Sequence, residues 1–191
     1  MAACCPKRVR AKPEQVPGIA VIRQARKALD DVGMSGKITL IYAGGIRNGT
    51  DVAKAIALGV DAVAIGHSAM MALNCNKDIP EADYESEIGV EAGYCYHCHT
   101  GRCPVGVATQ DPELRKRLDP DEAAERVYNF LHTLTLKCQM MARACGKTDV
   151  HSLEPEDLAA LTMEASALAM VPLARAISGD GTRRCRRPGV R

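Results

Sequence analysis

The first half of this chain predicts an α/β fold. Two short apolar runs, Ile38 to Tyr42 (ITLIY) and Asp61 to Ile65 (DAVAI), end in glycine turns at Ala43-Gly44-Gly45 and at Gly66. A stretch of helical periodicity lies between them and another precedes the first. Helix, strand, glycine turn, helix, strand, glycine turn is the order of a βαβ unit with a parallel strand pair. Composition points the same way. Hydrophobic residues make up 47% of the chain, yet it holds one Phe and no Trp, so the core must be built from Ala, Val, Ile, Leu and Met.

Residues 1–18 carry Cys4, Cys5, Pro6, Pro13 and Pro17 without a repeating apolar pattern and read as an irregular segment. From Ile19, the residues Val21, Ala25, Ala28, Leu29 and Val32 recur at helical spacing, and Gly33 can end that helix. The ITLIY run is the kind of strand buried on both faces in a parallel sheet. A helix from Thr50 to Leu58 follows, with Thr50 or Asp51 placed to cap it and Gly59 to terminate it. After the second strand, His67 to Leu73 reads as a helix start, leading to an acidic loop over 76–87. The second half is helical. Asp119-Pro120-Asp121-Glu122 has the form of an N-cap, a proline in the first turn and a capping-box acid. Behind it, Val127, Phe130, Leu131, Leu134, Cys138, Met141 and Cys145 keep one apolar stripe, which makes Cys138 and Cys145 expected buried thiols. Pro155 opens a short helix with Leu158 and Leu161, and Met163 to Met170 form a second, both expected to dock.

Between the halves lies YCYHCHTGRCPVGVATQ, which places Cys95, Cys98 and Cys103 within nine residues, beside His97 and His99. Three thiols are an odd number for disulfide pairing, and no secretion signal is evident, so a metal site is the leading expectation. Thiolates are soft ligands that suit iron–sulfur clusters, zinc or Cu(I), and composition does not choose among them. Thiols packed or exposed without a metal are the alternative. The glycine turns suggest a second site. Glycine lets the backbone approach an anion closely, and the amides of a helix start point toward it. Glycine turns after two successive strands form the phosphate site of many (β/α)8 barrels. A structural turn without a ligand would keep the same residues.

GGIRNGTDVAKAIALGVDAVAIG, followed by LNC and then CHTGRCPVGVATQDPEL, resembles the C-terminal part of the FMN-binding barrel of the glutamate synthase family. A close subtype is the glutamate-synthase-like subunit of methylamine–glutamate N-methyltransferase. The resemblance implies the C-terminal fragment of a (β/α)8 FMN-binding barrel, with an iron–sulfur loop and a helical C-terminal extension. The divisions are 1–18 irregular, 19–74 the last two strands and helices of the barrel, 75–112 the iron–sulfur segment, 113–175 the helical extension and 176–191 a basic disordered tail. It implies that Gly44, Gly45 and Gly66, with Ile46, Arg47 and His67 of the same turns, bind FMN, and that Cys95, Cys98 and Cys103 hold an iron–sulfur cluster. In bacterial members the cysteines follow Cx5Cx4C, whereas here Ala92 stands at the first position and Cys95 gives CxxCx4C. Cys75 is then an expected fourth ligand, which would make the cluster [4Fe–4S] rather than [3Fe–4S].

The implied reaction is that of an oxidoreductase: 2-oxoglutarate and ammonia, or a glutamine-derived substrate, give 2-iminoglutarate, which is reduced to glutamate. Alternatives are an N-methylglutamate synthase subunit and a metal-stabilised module without catalysis. The resemblance begins near the seventh of the eight barrel strands. The chain is therefore expected to be part of a larger protein, or to join other glutamate synthase segments or subunits. Net charge of +2 gives no reason to expect nucleic acid, and the basic run RRCRRPGVR lies in the tail. No apolar run reaches the roughly 18 residues of a membrane span. The expected location is cytoplasmic.

Overall fold

The computed structural model describes residues 18–75, 95 and 97–174. The expected irregular start, the acidic loop, Ala92 and the basic tail lie outside these residues. Helix α1 spans Gly18–Asp31 and buries Ala20 and Ile22. Strand β1 (Ile41–Ala43), helix α2 (Gly49–Ala57), strand β2 (Ala62–Ala64) and helix α3 (His67–Ala72) follow in the order the sequence predicts. The strands pair in parallel, with Ile41 opposite Ala62 and Ala43 opposite Ala64. They are shorter than expected. Leu40 stays outside β1, its amide donating to the Asp61 carboxylate at 2.6 Å while its carbonyl accepts from the Asp61 amide at 2.9 Å.

Burial along the expected strand Ile38 to Tyr42 departs from expectation. Ile38 is 43% exposed and Ile41 58%. A parallel strand is covered on both faces only inside a wider sheet flanked by helices, and among the described residues β1 has β2 as its one strand neighbour. Asp61 ties the strand starts together. The Arg26 guanidinium of α1 donates to its carboxylate at 2.9 Å and to the Gly59 carbonyl at 2.6 Å. The His151 ring approaches the Asp61 carbonyl at 3.1 Å.

The cap of α2 is Asn48, not Thr50 or Asp51. Its extended backbone (φ −154°) lets the side-chain oxygen accept from the amides of Thr50 and Asp51, at 2.8 and 3.3 Å. Asp51 instead accepts from the Arg47 amide at 3.0 Å. Helix α2 is buried almost all round, through Val52, Ala53, Ala55, Ile56 and Ala57. These join Ile22, Ile46, Leu58, Val60, Cys138, Ala142, Leu153, Ala160 and Val171 in the main core.

The helical half comprises α4 (Pro112–Arg115), α5 (Pro120–Ala144) and α6 (Met163–Ala169), with single tight turns at Val150–Ser152 and Pro155–Asp157. Asp119 caps α5 as expected, accepting from the amides of Asp121 and Glu122. The Glu122 carboxylate turns to Arg126 at 2.8 Å. Cys138 is buried as expected, but Cys145 is exposed. It is the residue that closes α5 at the turn into Gly146, where the side chain leaves the packed stripe. The expected helix at Pro155 is one turn, and Leu161 is 88% exposed rather than docked. No described helix is long and apolar enough to cross a membrane.

Helix α2 begins flush against α5. A Cβ on Gly49 would lie 2.2 Å from the Leu134 carbonyl oxygen and 2.6 Å from the Cys138 amide nitrogen. The two nearest atoms are α5 backbone and the third is the Lys137 Cβ, none of which can swing aside, so Gly49→Ala should destabilise the fold by about 1–3 kcal/mol, read as a lowered denaturant midpoint. Asp61 gives a second test. The Leu40 amide first, and then Arg26, hold its carboxyl below the usual carboxylate range. A depressed native pKa contributes stability that is present above the unfolded value and is lost as pH falls through the native one. Unfolding free energy measured from pH 7 downward should therefore show a loss starting below about pH 4 that Asp61→Asn does not show.

Candidate functional site

The parallel register brings the C-terminal ends of β1 and β2 to one edge, since Ala43 lies opposite Ala64. Gly44-Gly45 and Ile65-Gly66 thus leave the sheet side by side. The Ser68 hydroxyl, at the start of α3, donates to the Ile46 carbonyl at 2.5 Å and joins the two turns. Gly44 and Gly45 have φ of +128° and +68°, a region that favours glycine. A Cβ on Gly45 or on Gly66 would meet no heavy atom of the described residues within 4 Å. Backbone conformation calls for Gly45, and the described residues leave the outer side of both turns open.

Other predicted members of this site play different parts. The Ile46 side chain is 5% exposed and belongs to the core, so only its backbone remains for a ligand. Arg47 and His67 are exposed. The Arg47 amide is held by Asp51, and the first amides of α2 are held by Asn48. Helix α3 has no side-chain cap. An anion above the turns would meet the Gly44-Gly45-Ile46 backbone and the Gly66-His67 turn, rather than the α2 terminus the sequence suggested.

The cysteines occupy a different kind of structure. Cys98 is exposed in the tight turn His97–His99, and Cys95 is half-buried. Cys103 is 4% exposed. It sits in a loop closed by an antiparallel bridge between Arg102 and Thr109. Thr109 is buried, donates its hydroxyl hydrogen to the Gly101 carbonyl and accepts from the Asp111 amide at 3.1 Å. Arg117 donates to the Pro104 carbonyl at 2.9 Å. Gly106 lies so close to α4 that a Cβ there would come 2.5 Å from the Leu114 carbonyl oxygen, and Val105 beside it is 1% exposed.

Burial pushes the Cys95 thiol up, and the Cys103 and Cys98 sulfurs add to the shift. As thiolates the three sulfurs would be soft donors whose mutual repulsion a bound cation relieves. This donor set fits a soft metal. Among the described residues, however, no group of three or more His, Cys, Asp or Glu side chains is drawn together at metal-holding distance. Cys75 is half-buried just after α3.

Sequence reasoning missed Ser68, Asn48, Thr109 and Arg117. Asn48 carried a signal, an Asn directly before a helical stretch. Ser68 and Arg117 act across 22 and 13 residues, while Thr109 bonds within its own loop, to Gly101 and Asp111.

A family model described as a conserved region in glutamate synthase matches residues 5–79 and 85–148. A glutamate synthase large subunit-like protein of Rhizobium meliloti is 54% identical over 159 residues, covering 83% of this chain and 36% of the relative. An archaeal glutamate synthase [NADPH] of Methanocaldococcus jannaschii is 39% identical over 138 residues, covering 72% of this chain and 24% of the relative. The chain thus matches about a third or less of the length of these relatives. No solved structure matches it.

Thiol accessibility tests the loop. In the metal-free protein, alkylation followed by mass spectrometry should modify exposed Cys98 well before buried Cys103. Thr109→Val removes both hydrogen bonds of the buried hydroxyl, and it should narrow that difference severalfold by loosening the loop. Equal rates in the parent would contradict the rigid setting of Cys103.

Proposed function

Starting from the fact that the chain belongs to the glutamate synthase family, we propose that it supplies the flavin-phosphate and cluster-bearing part of a glutamate-synthase-type oxidoreductase. The observation that carries this reading is the placing of two open glycine turns side by side at the C-terminal end of a parallel strand pair. That is where α/β barrels bind phosphate. Bound FMN and an iron–sulfur cluster would supply the electrons that reduce 2-iminoglutarate to glutamate, with NADPH as the reductant by analogy with the archaeal relative's name.

The chain's own residues prepare both sites. Gly44 and Gly45 expose the backbone to the phosphate, while Ser68 sets the distance between the two turns. Neutralising the phosphate falls to backbone amides and to the exposed Arg47 side chain. At the second site, Cys103 is held ready by Thr109 and Arg117, and Cys95 and Cys98 close from the more open side. Cys75 is the proposed fourth ligand, which decides between [4Fe–4S] and [3Fe–4S].

The uncovered faces of Ile38 and Ile41 fit a chain whose sheet is completed by the preceding strands of the family's barrel, from the same protein or another subunit. By itself the 191-residue chain is expected to give no 2-oxoglutarate-dependent turnover.

Two experiments test the proposal. Anaerobic reconstitution with iron and sulfide should give visible thiolate-to-iron absorbance, and Cys98→Ser and Cys103→Ser should each remove most of it. A colourless protein carrying stoichiometric zinc would refute the cluster. In the complete barrel, Gly45→Val should lower FMN affinity by tenfold or more, because φ +68° is strained for a β-branched residue and the side chain enters the open turn. Equal FMN retention by parent and variant would remove the phosphate assignment.

A further inference from the structure

Helix α5 has a second apolar face that the described residues leave exposed. Ala124, Tyr128, His132, Leu136, Met140 and Ala144 follow one another at intervals of four residues and form a single uncharged ridge. Its Leu136–Met140 part lies opposite the stripe through which Cys138 and Ala142 enter the core. Tyr128 is 66% exposed, Leu136 45% and Met140 63%. The Tyr128 and His132 rings of the ridge are stacked, with centroids 5.8 Å apart. Exposed singly, such residues need no explanation, but a continuous ridge over most of a 25-residue helix marks a contact surface.

We propose that this ridge pairs antiparallel with the same ridge of a second copy of the chain. The charges select that occupant and that direction. Exposed Asp121 and Glu125 lie at the N-terminal end of α5 and exposed Arg143 at the C-terminal end. Among the described residues, no ion pair engages Asp121, Glu125 or Arg143. With a two-fold axis crossing the ridge midway between His132 and Leu136, Glu125 comes opposite Arg143 of the second copy, Tyr128 opposite Met140, and His132 opposite Leu136. Parallel pairing would set Glu125 against Glu125 and Arg143 against Arg143. The antiparallel pair also brings unlike ends of the two helix dipoles together. The surface is self-complementary, as a two-fold contact requires. One helix pair buries an area at the low end of specific interfaces, about 1,000 Å², so the dimer is a weak and reversible one.

The test uses the full chain with p-benzoylphenylalanine in place of Tyr128, in a mixture of isotopically light and heavy copies. Illumination should give mixed-isotope dimers cross-linked at or beside Met140. Leu136→Glu should lower that yield at least tenfold while leaving helix content by circular dichroism unchanged. Glu125→Arg should lower it too, and adding Arg143→Glu should restore it. Cross-links confined to one copy, cross-links between copies at other residues, or a yield indifferent to Leu136→Glu would overturn the proposal. Association through the open strand edge gives cross-links elsewhere, so it cannot imitate the expected result. The outcome is also independent of whether the chain binds flavin or iron.

Discussion

The Asp61 carboxylate is the constraint on which the βαβ unit depends. It accepts from the Leu40 amide and from the Arg26 guanidinium, while the Asp61 backbone carbonyl meets His151. One residue thereby fixes where β1 starts beside β2, docks α1 across the strand starts and anchors the turn after α5. Because the register is set at this end, the opposite ends of the strands fall level, and the two glycine turns emerge together. A shift of one residue would put Tyr42 and Val63 on opposite faces and separate the turns.

A second constraint is the close approach of α2 and α5. Small residues on α2, with Ala55 fully buried and Gly49 directly against the α5 backbone, let the helices meet at a distance larger side chains would forbid. A chain with almost no large aromatic residues forms its core through such contacts. The first turn of α2 therefore serves packing, and its amides are satisfied by Asn48. The open side of the glycine turns is left to the strand ends and to α3.

The two candidate sites are held in contrasting ways. The glycine cradle is made of backbone and left open by the described residues, with Ser68 tying its two turns together. The Cys103 loop is closed, with a buried threonine, a bridging arginine and a glycine pressed against α4. Cys98 is exposed in the tight turn ahead of it. A thiol site with one fixed and one accessible member can admit a metal from the open side without unfolding the loop.

Local chemistry decided what the sequence determined unaided. The element order, the cap at Asp119 and the CxxCx4C spacing follow from periodicity, capping chemistry and residue spacing, all of which act within a few residues. Those rules also indicated Cys138 as a buried thiol, and the structure agrees. Cys145 kept the same periodicity and came out exposed, because periodicity gives the face of a helix and not where the contact along that face ends. Ile38 and Ile41 read as core, yet burial requires neighbours that the strand's own sequence does not specify. Ser68 on Ile46, Arg117 on Pro104 and Gly49 against Leu134 are contacts between distant positions. Only the folded chain decided them, since each depends on the distance between two backbones and no local residue pattern encodes that distance.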